Sequence, residues 1–146
     1  MSIQKATLKD YETLSELFDL YRVFYEQKSN PEGARDFIKE RLNNEESVAF
    51  IALDENDPIG FVQLYPSFSS VSMKRTWVLN DLYVKEKARG KGFGEKLLKK
   101  TITFAEGTGA IGVSLETGKD NLTAQRLYER VGFKRETNYF YDFSIG

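Results

Sequence analysis

The stretch from Thr76 to Glu116 constrains the fold more than any other part of the chain. It begins as a long strand-like run, Thr76 to Val84, and passes through a basic, glycine-rich segment, Lys85 to Gly94. An amphipathic helix follows, with Phe93, Leu97, Leu98, Ile102 and Ala105 on one face and Glu95, Lys96, Lys99 and Lys100 toward water. Ile111, Val113 and Leu115 then alternate, which is the period of a strand. A strand, a helix and a strand in this order predict a right-handed crossover, and hence an α/β fold.

The flanking sequence fills in the rest. Ile3 to Thr7 reads as a short opening strand, with Thr7 and Asp10 as a capping box. Leu14, Leu17, Phe18, Tyr21 and Tyr25 recur at helical spacing. Asn30 followed by Pro31 caps a second helix that runs to about Asn43, with Phe37, Ile38 and Leu42 inward. Ser47 to Leu53 and Ile59 to Tyr65 make a hairpin around the turn residues Asp54 to Pro58. Pro66 to Ser72 reads as a polar loop. Asn121 opens a last helix carrying Ala124, Leu127, Tyr128 and Val131, and Gly132 ends it. Phe133 to Arg135 and Tyr139 to Phe143 are expected to be closing strands. The order is β-α-α-β-β-β-α-β-α-β-β, with no repeat and no linker. It predicts one α/β domain over residues 1–146, a mixed, mostly antiparallel sheet of about six to seven strands flanked by four helices.

Two absences narrow the chemistry. The 146 residues include no Cys and no His, which removes thiolate nucleophiles, disulfides, imidazole metal sites and every Ser-His or Cys-His pair. Reactivity falls to carboxylates, hydroxyls, amines, backbone amides or a bound cofactor, and no metal is expected. A net charge of -1 gives no general attraction to nucleic acid or to an anionic membrane. No apolar run approaches the roughly 20 residues of a membrane span. Met1 to Ala6 lacks the apolar core of a signal peptide, so a cytoplasmic location is expected.

Gly90, Gly92 and Gly94 lie between the central strand and its helix. Glycine there permits positive φ and close backbone approach to a ligand. The outward N–H groups at the positive end of the helix dipole suit a phosphate, and Arg89 and Lys91 add positive charge. The same residues would also serve as a tight turn with solvated cations. Neither Gly90-Lys91 nor Gly118-Lys119 meets the P-loop pattern. Gly107, Gly109 and Gly112 spell the dinucleotide pattern, but they follow a helix and lead into a strand, the reverse of what that fingerprint needs.

Arg89-Gly90-Lys91-Gly92-Phe93-Gly94 resembles the R/Q-x-x-G-x-G/A signature of GNAT acetyltransferases, and Asp81-Leu82-Tyr83-Val84 resembles the strand that precedes it. Asn121, Ala124, Tyr128, Gly132 and Phe133 match that family's second motif, N-x-x-A-x-x-x-Y-x-x-x-G-F. Within the family the Asn80 to Val84 stretch is most similar to the polyamine and thialysine acetyltransferases and to the yeast histone/polyamine type. The resemblance implies acetyl-CoA as co-substrate. It places the pyrophosphate of coenzyme A on the amides of Gly90, Lys91, Gly92, Phe93, Gly94 and Glu95 beside Arg89, and the pantetheine arm along Leu82, Tyr83 and Val84. Asn121 would hydrogen-bond the cofactor, cap its helix, or do both.

The implied reaction is direct acetyl transfer to an amine without a covalent enzyme intermediate, which fits a chain lacking Cys and His. Tyr128 is the expected acid, toward the departing thiolate. For the base three carboxylates stand open: Asp81, Glu116 and Glu26. The related polyamine enzymes carry Glu-Asp where this chain has Asn80-Asp81, so the position of their base is an Asn here. Asp81 lies in a strand among Val78, Leu79, Leu82 and Val84, where its propensity is poor. Tyr25, Trp77, Tyr83 and Tyr141, with Glu26, are expected to shape the acceptor pocket, toward a polyamine, a lysine-like compound or a lysine side chain. A non-catalytic acyl-CoA sensor is the alternative. The aromatic segment Tyr139 to Phe143 would leave an exposed edge, and a homodimer using that segment is expected.

Overall fold

In the computed structural model, which describes residues 1–146, the alternating segments assemble into a five-stranded sheet in the order β1-β2-β3-β4-β5. The strands are β1 (Ser2–Lys5), β2 (Val48–Asp54), β3 (Asp57–Ser69), β4 (Lys74–Val84) and β5 (Val113–Ser114). The first three pairings are antiparallel, and β4 and β5 are parallel through Trp77 opposite Val113 and Val78 opposite Ser114. The helices are α1 (Tyr11–Phe24), α2 (Pro31–Asn43), α3 (Phe93–Gly107) and α4 (Leu122–Val131). No helix is long and apolar enough to cross a membrane.

The chain divides into two compact units, Met1–Glu116 and Thr117–Gly146. In the first, the period-2 alternation of the strands supplies two apolar faces. Ile51 and Phe61 join Leu14 and Leu17 of α1 and Ile38 of α2 in one buried cluster. The intervening residues turn the other way: Phe50 and Trp77 both meet Phe104 of α3, whose Phe93, Leu97, Leu98 and Ala105 are buried. Each such side chain taken fully out of water stabilises the fold by about 1.5–3 kcal/mol. Asp19 of α1 fixes the start of α2, accepting from Ser29 Oγ at 2.6 Å and from the Asn30 amide at 2.8 Å. Asn30 in turn caps α2, its Oδ1 accepting from Gly33 N at 3.0 Å.

The second unit is α4 and its flanks. Asn121 Oδ1 accepts from Ala124 N at 3.2 Å at one end. At the other, Gly132 takes φ 121° and both Gly132 N and Phe133 N return to Tyr128 O, at 3.1 and 3.0 Å. Gln125 donates to Gly118 O and Lys119 O and accepts from Arg135, which ties both flanks to the helix.

Three expectations are corrected. The sheet has five strands, not six to seven, because Phe133 to Arg135 and Tyr139 to Phe143 form no strand. Aromatic alternation suits a pleated surface, but a strand also needs a ladder partner for its amides. Pro66 to Ser69 is strand and not loop: β3 continues opposite β4, with Phe68 paired to Arg75, whose guanidinium lies 4.2 Å from the Phe68 ring centroid. The Ile111 to Leu115 strand is reduced to Val113–Ser114, although Ile111 N and Gly112 O also bond β4, to Arg75 O and from Trp77 N.

Candidate active site

The glycine turn sits where the crossover needs it, between β4 and α3. Gly90 and Gly92 adopt φ of 80° and 88°, which only glycine takes without strain, and Gly92 is the N-cap of α3. A Cβ built at either position would meet nothing within 4 Å. The helix ladder begins with Lys96 N donating to Gly92 O at 3.1 Å, so the amides of Gly92, Phe93 and Gly94 precede its first bond of that kind. The result is an open cradle of N–H groups at the positive end of a 15-residue helix. Lys91 is exposed beside it, and Glu95 is engaged by Lys99 at 3.3 Å.

Arg89 braces this turn. Its Nε donates to Val84 O at 2.8 Å, and its guanidinium lies 5.0 Å from the Phe24 ring and 5.7 Å from Tyr83. The last residues of β4, the turn and the end of α1 are therefore linked through one side chain. Gly60 on β3 lets the strands close there, since a Cβ at that position would lie 2.6 Å from Tyr83 O. Within the first unit, β5 covers β4 only at Trp77 and Val78, so the edge from Leu79 to Val84 has no strand beside it.

A one-residue bulge decides what faces α1. Gln63 pairs with Asp81 and Leu64 with Leu79, leaving Asn80 unopposed. The extra residue inverts the alternation, so Trp77 and Leu79 face α3 whereas Asp81 and Tyr83 face α1 and α2. Asp81 is 3% exposed, and its carboxylate accepts from Gln63 Nε2 at 2.6 Å and from Asn80 Nδ2 at 3.0 Å. The Gln63 amide oxygen accepts from Ser47 Oγ at 3.0 Å, and Tyr21 of α1 donates to Asn80 O at 3.3 Å. Burial pushes the Asp81 carboxyl above the usual carboxylate range, with Gln63, Asn80 and Tyr21 opposing it through hydrogen bonds. Tyr65 on β3 is pushed up to about 12, first by burial and then by the Asp81 charge.

The other expected residues fall at different places. Tyr25 is half-exposed in an aromatic group with Tyr21 and Phe24, and Phe24 reaches Tyr83. Glu26, exposed, ends α1 in the left-handed region at φ 65°. Glu116 is exposed at the end of the first unit. Trp77 is not beside Tyr25: it is 7% exposed, its indole donates to Thr108 Oγ1 at 3.0 Å, and its ring packs on Phe104 on the opposite face of the sheet. Asn121 and Tyr128 belong to the second unit, where Tyr128 is half-buried and its ring lies 6.0 Å from Phe133. Tyr21, Ser47, Gln63 and Tyr65 did not stand out in the sequence. A lone Gln between Val62 and Leu64 was the available signal, and its partner became visible only with the register.

Comparison with known proteins shows the family of the chain. The family model described as acetyltransferase (GNAT) family matches residues 14–133. A Bacillus subtilis (strain 168) protein named uncharacterized N-acetyltransferase YhfO is 45% identical over 139 residues, covering 95% of this chain and 93% of the relative. The Saccharomyces cerevisiae D-amino-acid N-acetyltransferase HPA3 is 32% identical over 132 residues, covering 88% of this chain and 81% of the relative. The crystal structure of a probable acetyltransferase superposes with a TM-score of 0.92 at 44% identity, covering all of both chains.

Proposed function

The chain belongs to the acetyltransferase (GNAT) family and is an acyltransferase, and on that premise we propose that it moves the acetyl group of acetyl-CoA directly onto a primary amine. The observation that carries this reading is the pairing of the positive-φ glycine cradle at the start of α3 with the uncovered edge of β4 from Leu79 to Val84. These residues fit coenzyme A: Gly90 to Glu95 would hold its phosphates by backbone N–H groups, with Arg89 and Lys91 beside them, and Leu82 to Val84 would pair with the pantetheine arm. When bound, it supplies an activated thioester with its own leaving thiol.

The protein's part is to bind, orient and manage protons. The amine must arrive neutral. Asp81 is the carboxylate whose surroundings best suit taking up its proton, through a water, because burial raises its affinity for one. Glu26 and Glu116, both exposed, then serve to attract a cationic acceptor. Tyr128 would donate its hydroxyl hydrogen bond to the departing sulfur as the C–N bond forms and the C–S bond breaks, and the proton shed by the new amide nitrogen would balance the one that the thiolate takes up. Tyr128 takes this role from its place in the second motif, and Asn121 the role of cofactor contact.

One exposed carboxylate, Glu26, follows the aromatic residues Tyr21, Phe24 and Tyr25 at the end of α1, and this supports a cationic amine as acceptor. A polyamine, a lysine-like compound, a lysine side chain and, by the name of the yeast relative, an amino acid α-amine are the classes to test. Initial-rate kinetics test direct transfer. Varying acetyl-CoA at several fixed amine concentrations should give intersecting double-reciprocal lines, whereas parallel lines would reveal a covalent enzyme intermediate and overturn the mechanism.

A further inference from the structure

Gln63 is the one amide side chain among the buried residues, and it is 0% exposed in the middle of β3. Burying an amide on the sheet face that it shares with Phe61 costs stability unless each polar atom is matched. Both are. Ser47 Oγ donates to the amide oxygen, and the NH2 is turned toward Asp81, whose carboxylate can only accept. The 2.6 Å contact to Oδ2 is short for N–H···O, as expected for a charged acceptor. Asn80 donates to Oδ1, and the Tyr21 hydroxyl, shared with Asn80 O, is the third and weakest donor acting on the carboxylate. All three donors are neutral, and Asp81 forms no ion pair.

We propose that Gln63, backed by Ser47, is a positioning residue that holds the Asp81 carboxylate in one orientation and in its ionised form for the acetyl-transfer reaction. The proposal rests on the part given to Asp81 above. With Ser47 occupying its oxygen, the amide presents only donors to Asp81. A donor favours the charged carboxylate, so Gln63 opposes the burial that would otherwise keep Asp81 protonated. Burial and donors thus act in opposite directions on one group, burial raising its affinity for a proton and the donors lowering it. The titratable groups facing the network are Tyr21 of α1 and Tyr65 of β3, and Arg41 of α2 acts on Tyr65. Tyr65 is itself pushed up to about 12, far from the carboxylate range.

The test is a carbon-13 NMR titration of the Asp81 side-chain carboxyl in the whole chain, for wild type, Gln63→Met and Ser47→Ala. Gln63→Met preserves length and apolar packing. The midpoint should move upward in Gln63→Met and by less in Ser47→Ala. The companion measurement is the pH profile of kcat/KM for acetyl transfer from acetyl-CoA to lysine and to spermidine. Its acid limb should shift upward with Gln63→Met, with a loss of roughly tenfold to a hundredfold on the plateau. In an Asp81→Asn background the same substitution should cost little. An unmoved NMR midpoint, or an equal loss in both backgrounds, overturns the role of Gln63. An acid limb that survives Asp81→Asn removes Asp81 from the reaction instead, and a shifted midpoint would then show Gln63 acting on a carboxylate that catalysis does not use.

Discussion

A carboxylate inside a sheet costs stability whenever it is charged, and Asp81 makes that cost measurable. Its folded pKa is raised above the ordinary 3.8, so between the two values the native state binds more protons than the unfolded chain. The contribution of Asp81 to stability is therefore fully present below 3.8 and is lost as pH rises through the folded value. Asp81→Asn should melt at a higher temperature than wild type at pH 8, with the gap closing near pH 4, because the amide carries no charge and its own oxygen can still accept from Gln63 Nε2. The same substitution should depress acetyl transfer. A wild type at least as stable as the variant at pH 8 would refute this. Tyr128→Phe removes one hydroxyl and should lower kcat by about a hundredfold, in the range usual for a lost general acid, while acetyl-CoA binding holds. Unchanged turnover would take Tyr128 out of the mechanism. At this scale the sequence disclosed Asp81 as a strand misfit and Tyr128 as a motif residue. It did not disclose Gln63 or Ser47, because their role depends on a bulge at Asn80 that leaves no mark in composition.

Among the elements, the turn into α3 is defined by backbone angles. Gly92→Val forces a β-branched residue to φ near 88°, at a strain of about 1–3 kcal/mol, although a Cβ there has open space around it. The variant should fold with a lowered melting temperature and fail to bind coenzyme A by calorimetry; normal affinity in a folded variant would contradict the phosphate cradle. The helix caps offer an internal control. Asn30 and Asn121 both accept a backbone N–H at the start of a helix, and each Asn→Ala should cost about 1 kcal/mol, or roughly 2–4 °C. Only Asn121→Ala should also weaken coenzyme A; equal affinity in the two variants would reduce Asn121 to a cap. These helices were legible because caps, periodicity and terminal glycine are local signals. The end of the chain was not. Tyr139 to Phe143 has the alternation of a strand, and whether it pairs depends on a ladder partner that local sequence does not specify. Pro66 to Ser69 erred the other way, its Pro and Ser outweighed by cross-strand pairing to β4.

For the whole molecule, the family model spans residues 14–133 and so takes in parts of both compact units. Tyr139, Phe140, Tyr141 and Phe143 are each at least 80% exposed, an apolar surface larger than scattered single residues account for. We propose that a second copy of the chain covers it, and sedimentation should show a dimer at micromolar concentration; a monomer alone would contradict that. The central claim is acetyl transfer to an amine, and release of free thiol from acetyl-CoA measures it most directly. Purified protein should be given acetyl-CoA with polyamines, lysine and its analogues, D-amino acids, aminoglycosides and a basic peptide. Thiol release that depends on one amine class and disappears with Tyr128→Phe is the predicted result. Tight binding of acetyl-CoA with no release for any amine would contradict it and leave an acyl-CoA sensor on the same fold.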